Sequence, residues 1–267
     1  MKYQNHRFTD KNTPVYEEVG DLLLIGTVHT ADIKKSPRRK VERFLNEILK
    51  SDHLILEGYY HKATKLLQEK GEPNYERTAV NNFQGPVYYL EEGSDFRGIA
   101  ERYGVRRDLI GLYDLFCDLY DIVSMSHSQD DMLDTMRTDL ETKKQIYPGW
   151  NEIDSDATLR MVHVTMSNFP ENPNLIADIG IMFGSYLGQL REYEILRPKT
   201  LEFNATLNGR KTEIVGADHV RCLARCLKGE DVEHPEEWKI FVEGLEPQYK
   251  DTIRRIERDI FPGQTPE

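Results

Sequence analysis

Short apolar runs alternate with a helical repeat in the first sixty residues of the chain. Leu22–Ile25 is an uninterrupted apolar run of strand length, and a second run covers His53–Leu56. Between them, apolar residues recur three and four positions apart from Val41 to Leu49, after an N-cap predicted at Ser36, and this spacing predicts an amphipathic helix. A continuous apolar run is typical of a strand covered on both faces, as in a parallel sheet. The order of strand, helix and strand therefore predicts an α/β protein.

Similar signals extend the predicted sheet at both ends of the chain. Further strands are predicted around Val15–Val19, over Pro86–Glu91 and over Thr212–Val215. We interpret residues 106–175 as a helical insertion or cap within a single domain that spans residues 1–267. The predicted fold is thus α/β, with a central, largely parallel or mixed sheet flanked by helices.

Two of the apolar runs end in the same way, with a glycine that is followed three residues later by a histidine. The first reads IGTVH, with Gly26 and His29, and the last reads VGADH, with Gly216 and His219. A third run, LILEG, ends in Glu57. Ligands of open α/β sheets bind beyond the carboxyl ends of the strands, so we expect these side chains to face one site. One Gly-x-x-His sequence is weak evidence, whereas two, each directly after an aliphatic run, favour a functional site over a structural one.

The residue types at these strand ends suit metal chemistry. Two histidines and a carboxylate form a ligand set for a divalent ion that keeps one position open for water. Such an ion lowers the pKa of its water towards about 7 and makes hydroxide available at neutral pH. The pattern predicts a metal site of His29, His219 and Glu57. Glu57 also suits a general base, and the sequence leaves its two roles open.

The same motifs resemble those of the TraB/TIKI (GumN-like) superfamily, which is related more distantly to erythromycin esterase and to haem-binding ChaN proteins. The resemblance rests on IGTVH, LILEG, IVGADH and Arg197 in YEILRPK, and it covers residues 20–105 and 185–225. It implies a sheet built from two similar α/β halves that bring both histidines to one cleft. It also implies metal-dependent hydrolysis of peptide bonds, with manganese or cobalt as the metal. Zinc is a further candidate for the predicted divalent ion.

Further roles follow from this resemblance as hypotheses. Glu92 is the first choice for the general base on the bound water, and Glu57 is the second. Arg197 would hold a substrate carboxylate or a developing oxyanion. The basic run KKSPRRK, residues 34–40, opposes the dipole of the helix that it begins, which fits either an anionic substrate or a solvated surface.

Two other functions fit the same pattern. A metal-free, esterase-like hydrolase would use His29 as a general base. A non-catalytic module would bind a metal, haem or a peptide without turnover. Cys222 and Cys226 share a helix face with His219, and we interpret both as core cysteines rather than metal ligands.

The amino-acid composition limits the partners and the cellular compartment that we expect for this protein. Hydrophobic residues make up 39% of the 267 residues, enough for a core, and the net charge of −11 argues against general nucleic-acid binding. Three cysteines give no disulfide framework. No run approaches the roughly 20 apolar residues of a membrane span, and the first residues do not resemble a signal peptide. We expect a cytoplasmic protein with a peptide or small-molecule substrate and no nucleic-acid or membrane partner. The sequence is compatible with a homo-oligomer.

Overall fold

The computed structural model divides the chain into two compact units. The first contains residues 1–94 and 192–234, and the second contains residues 95–191 and 235–267. His29 and most of the predicted insertion lie outside the described residues, so the insertion stays a prediction. No helix in the described part of the chain is long and apolar enough to cross a membrane. The structure describes residues 14–28, 33–58, 74–105, 129–146, 155–156, 159–160, 163 and 173–260.

One five-stranded sheet forms the centre of the first unit. Its strands are β1 (Val15–Val19), β2 (Leu22–Thr27), β3 (His53–Leu56), β4 (Val87–Tyr89) and β5 (Lys211–Gly216). They lie in the order β1-β2-β5-β3-β4, and only β1 with β2 is an antiparallel pair within this sheet. The predicted α/β class and the mixed, largely parallel sheet are therefore confirmed.

The two units contain nine described helices. They are α1 (Arg38–Leu49), α2 (Tyr75–Asn82), α3 (Phe96–Arg102), α4 (Gln129–Ile146), α5 (Pro173–Arg191), α6 (Arg197–Thr206), α7 (Val220–Leu227), α8 (Trp238–Glu243) and α9 (Pro247–Ile260). The first unit contains α1, α2, α6 and α7, and the second contains the others. A turn of 3-10 helix at Ile33–Lys35 precedes α1, and a π-helical turn at Glu192–Leu196 precedes α6.

Strand register divides the side chains of the sheet between two faces. Ile25 pairs with Ile214, which in turn pairs with Leu56, and partners in a parallel ladder project to the same side. These three residues pack in one apolar cluster with Phe44 and Ile48 of α1, which defines the α1 face. The alternate residues of each strand form the opposite α7 face, which α6 and α7 cover.

Two buried residues of the α7 face are acidic. Glu213 pairs with Ile55 across β5 and β3, and Glu57 follows Ile55 by two positions. Both carboxyl groups are buried. An α/β sheet of this kind normally packs apolar side chains under its helices, so these two acids mark the α7 face as chemically unusual.

The start of α1 corrects one detail of the sequence analysis. Ser36 was predicted to cap this helix, but Pro37 occupies the N-cap position and makes no side-chain cap. The Ser36 hydroxyl instead accepts a hydrogen bond from the Tyr75 hydroxyl at 2.7 Å. A tertiary partner has therefore replaced the local one.

Gly26 allows the chain after β5 to cross closely over the end of β2. A Cβ atom at Gly26 would lie 2.6 Å from Val220 Cγ2 and 2.7 Å from Ala217 Cα. The Ala217 N–H also donates to the Thr27 carbonyl at 2.9 Å, which fixes this crossing. The glycine of IGTVH is thus required by close packing rather than by a positive φ angle.

We predict that Gly26→Ala lowers the free energy of unfolding by about 1–3 kcal/mol, because the added methyl group overpacks a site next to backbone. Gly188→Ala is the control: no described atom lies within 4 Å of the added Cβ. In the interior of α5 this change should stabilise by about 0.5–1 kcal/mol. Urea unfolding of the three proteins checks both values, and equal stability of Gly26→Ala and wild type would contradict the packing argument.

Candidate functional site

Three strand ends meet at one edge of the sheet. β5 lies between β2 and β3, and all three strands run in the same direction. Thr27 pairs with Gly216, and the Glu57 N–H donates to the Ile214 carbonyl at 3.0 Å. The three strands that begin these motifs, β2, β3 and β5, therefore end side by side. His29, two residues beyond Thr27, lies outside the described residues.

Glu57 is held at this edge by the backbone of β5. Its side chain is only 2% exposed, and its Oε2 atom accepts a hydrogen bond from the Gly216 N–H. The other carboxyl oxygen, Oε1, lies 3.6 Å from His219 Nε2. The glutamate of one predicted motif and the histidine of another are thus brought together.

His219 is oriented by a carboxylate on the opposite side of its ring. His219 Nδ1 lies 2.9 Å from Oε2 of Glu192, which is the first residue of the π-helical turn. A carboxylate only accepts hydrogen bonds, so Nδ1 carries the proton and Nε2 of the neutral ring carries the lone pair. This lone pair is on the side of the ring that faces Glu57.

Arg197 holds Glu192 in turn. Its Nη2 atom donates to Glu192 Oε1 at 2.9 Å and to Cys222 Sγ at 2.8 Å, and its guanidinium group lies 5.0 Å from the centre of the Tyr193 ring. Positions five residues apart stack in a π-helix, whereas in an α-helix they lie about 140° apart. The π-helical turn therefore aligns Glu192 with Arg197, and Arg197 contacts His219 only through this glutamate.

The charges of Glu192 and Arg197 stabilise each other. Burial alone would raise the pKa of Glu192, but hydrogen bonds from His219, Cys222 and Arg197 outweigh it and hold the pKa below its ordinary value. Burial works against the charge of Arg197 as well, yet Glu192 keeps the pKa of the guanidinium above its usual range. Both groups are therefore ionised at neutral pH.

The cysteines of α7 differ from their predicted place in the core. Cys222 and Cys226 are half-buried free thiols. Burial, together with the neighbouring Glu192 carboxylate, raises the pKa of Cys222 to about 12. Cys222 is therefore a protonated thiol that packs against the Glu192–Arg197 pair, not a reactive thiolate.

The predicted base, Glu92, lies in the turn after β4 and is exposed. After burial, its charge is the second cause that raises the pKa of Tyr89. The preceding residue, Glu91, approaches the end of β3: a Cβ atom at Gly58 would lie 3.2 Å from Glu91 Oε2. Two adjacent acids in a turn point in different directions, and the sequence pattern does not distinguish them.

Glu213 is a polar residue of the α7 face that the sequence analysis did not select. It is fully buried, and its Oε1 atom accepts a hydrogen bond from the Thr200 hydroxyl at 2.7 Å. Its other oxygen has no hydrogen-bond partner among the described residues. Burial, aided by the charge of Glu57 and opposed by the Thr200 bond, raises the pKa of Glu213 to about 8. The sequence signal that could have identified Glu213 is an acidic residue inside a predicted covered strand, in the run TEIVG.

The described residues supply only part of the predicted metal site. Within them, no group of three or more His, Cys, Asp or Glu side chains is arranged to hold a metal ion. Two of the three predicted ligands, His219 and Glu57, face each other, and the third, His29, is not described. The metal site therefore stays a prediction.

Comparisons with known proteins add no family to this picture. No family model, no curated protein and no solved structure matches the chain. The likeness to the TraB/TIKI superfamily therefore rests on the motifs alone and stays a prediction.

We predict that Glu213 makes the stability of the fold depend on pH. The raised pKa means that the folded protein keeps a proton that the unfolded chain releases above about pH 4.5. The contribution of the protonated group is complete below that pH and is lost as the pH rises to about 8. Relative to Glu213→Gln, wild type should lose up to about 1.4 kcal/mol per pH unit across this window and nothing more above it.

Urea unfolding at a series of pH values measures this difference. Glu202→Gln is a matched control, because Glu202 is an exposed glutamate on α6. The free energy of unfolding of Glu202→Gln should vary with pH in the same way as that of wild type. If the free energy of unfolding of Glu213→Gln also varies with pH as that of wild type does, a proton on Glu213 is contradicted.

Proposed function

We propose that the protein is a metal-dependent hydrolase of peptide or amide bonds. Its divalent ion is bound by His219 and Glu57, with His29 as the third ligand. The observation that carries this proposal is the orientation of His219: Glu192 holds Nδ1, and Nε2 faces Glu57 Oε1 at 3.6 Å.

The 3.6 Å separation supports two ligands of one ion better than a direct contact. It is longer than a hydrogen bond. Two ligands of a tetrahedral ion, each about 2.1 Å from the metal, lie about 3.4 Å apart. A carboxylate on the second ring nitrogen is also the usual partner of a metal-binding histidine, since it fixes the tautomer and the ring orientation.

The side chains have distinct roles in this proposal. Arg197 is a positioning residue, because it holds the carboxylate of Glu192 rather than an open position beside His219. When Glu57 is a ligand, the general base is another carboxylate, with Glu92 as the sequence choice and Glu91 favoured by its approach to Gly58. A bound ion would act as a Lewis acid and supply hydroxide near neutral pH.

The predicted ligands also limit which metal ions are suitable. Imidazole with carboxylate suits zinc, manganese and cobalt, and no thiolate is offered, since the pKa of Cys222 is raised. The free thiols of Cys222 and Cys226 fit the reducing cytoplasm.

A metal-free hydrolase is the second candidate function. The hydrogen bond between Glu192 and His219 Nδ1 favours it as well. A carboxylate that holds one ring nitrogen also orients a histidine that acts as a general base through the other. In that case His219 takes the role that the sequence analysis gave to His29, and the charge of Glu57 stabilises the imidazolium. Retention of hydrolysis after removal of metal would favour this candidate.

We predict that purified wild-type protein binds about one equivalent of zinc or manganese. His29→Ala, His219→Ala and Glu57→Gln should each lose it, because each removes a ligand. Glu192→Gln should weaken binding by roughly 10–100-fold, because an outer partner of a ligand is changed. Elemental analysis and calorimetric titration measure both effects, and a peptide-library screen with and without chelator tests hydrolysis.

His53→Gln is the matched control for the histidine variants. His53 begins β3 and lies at the amino end of the strand, away from the edge that carries Glu57. It should keep wild-type metal affinity. Wild-type affinity in His219→Ala or Glu57→Gln would contradict the proposed ligands, and hydrolysis that survives the chelator would move the reaction to the metal-free mechanism.

A further inference from the structure

Two adjacent residues of the π-helical turn contact the two ends of α7. Glu192 Oε2 lies 2.9 Å from Nδ1 of His219, the residue directly before this helix. The ring of Tyr193 packs edge-to-face against the ring of His234, in the segment that follows the helix, with ring centres 4.6 Å apart. All four residues belong to the first unit.

Arg197 joins these two contacts. Its Nη2 atom donates to Glu192 Oε1 at 2.9 Å, and its guanidinium carbon lies over the Tyr193 ring, 5.0 Å from the ring centre. An arginine within about 6 Å of an aromatic ring centre is attracted by the negative face of the ring. One side chain of α6 is therefore held by two neighbouring residues of the turn.

Exposure to solvent increases along this row of side chains. The side chains of Arg197 and Glu192 are only 11% and 12% exposed, Tyr193 is half-buried, and His234 is exposed. The Tyr193 ring thus lies on the solvent side of the ion pair. A ring in this position keeps water away from the two charges, and their attraction strengthens as the effective dielectric constant falls.

The segment that carries His234 is fixed to the end of α7. The side chain of Arg225 donates from Nε to Glu230 Oε2 at 2.8 Å and from Nη2 to the Asp231 carbonyl at 3.2 Å. The Glu230 N–H donates in turn to the Arg225 carbonyl at 3.0 Å. These contacts hold the chain that leads to His234, so its ring has a defined place against Tyr193.

We propose that Tyr193 and His234 are positioning residues for His219. Tyr193 holds and covers the guanidinium group of Arg197, and His234 supports the Tyr193 ring from the solvent side. Arg197 holds Glu192, which fixes the proton on His219 Nδ1. The inference rests on the proposed function only in taking His219 as a functional residue, and every contact in it joins described residues.

The test records the ring nitrogen signals of His219 by NMR of isotope-labelled protein, at a pH that keeps the ring neutral. Wild type should show the Nδ1–H tautomer. In Tyr193→Leu the population of the Nε2–H tautomer should rise by roughly 2- to 10-fold, the range that the loss of one cation–π contact supports. His234→Ala should cause a smaller rise. Tyr193→Phe, which keeps the ring, should match wild type.

Phe203→Leu is the matched control on α6. Phe203 is also a half-buried ring, with the Lys199 ammonium group 5.9 Å from its centre and the Tyr88 ring centre 5.3 Å away. Phe203→Leu and Tyr193→Leu should lose a similar, small amount of thermal stability. Only Tyr193→Leu should change the tautomer of His219.

An unchanged tautomer in folded Tyr193→Leu would overturn the inference. An equal change in Phe203→Leu would also overturn it, because the effect would then follow from stability alone. If Tyr193→Leu does not fold, His234→Ala decides, since His234 is exposed, and an unchanged tautomer there has the same consequence. A wild type that shows the Nδ1–H tautomer but binds no zinc would instead reject the proposed function, while the positioning of His219 stands.

Discussion

Parallel pairing of β5 between β2 and β3 is the constraint on which the rest of the first unit depends. These strands come from opposite ends of the chain, and their common direction brings three carboxyl ends to one edge. Glu57 and His219 follow after these ends, where ligands of open α/β sheets bind. The crossing after β5 requires Gly26, and the Glu57 carboxyl group binds the last amide of β5. The topology of the sheet therefore brings the strand ends of the candidate site together, whatever side chains they carry.

The buried polar groups around the α7 face differ in charge: Glu192 and Arg197 are ionised, and Glu213 is protonated. Glu192 and Arg197 are an ion pair whose members stabilise each other's charge, so the buried position costs less than it would for either alone. Glu213 avoids the same cost by keeping a proton. The ion pair thus lies next to His219, whereas Glu213, in the middle of β5, keeps its proton at neutral pH.

Short runs of β-branched and aliphatic residues predicted these strands, because such runs are typical of strands in a covered sheet. The bounds of β1 and β3 agree with the prediction, and the ends of β2 and β5 extend it by one or two residues. Glu192 could not be predicted in the same way, because its alignment with Arg197 depends on a π-helical turn that no spacing rule indicates. Ser36 lies one residue before the N-cap Pro37, and its hydroxyl accepts a hydrogen bond from Tyr75, which is distant in sequence. Neither arrangement follows from helix periodicity or from capping preferences.

We propose that His219, oriented by Glu192, shares a cation with Glu57. Anomalous diffraction from crystals soaked with manganese can locate the ion independently of any assumed ligand. We expect a peak within bonding distance of both His219 Nε2 and the Glu57 carboxyl group, about 2.1 Å from each. A His219–Glu57 pair with no peak between them, in crystals that bind manganese elsewhere or not at all, would contradict it.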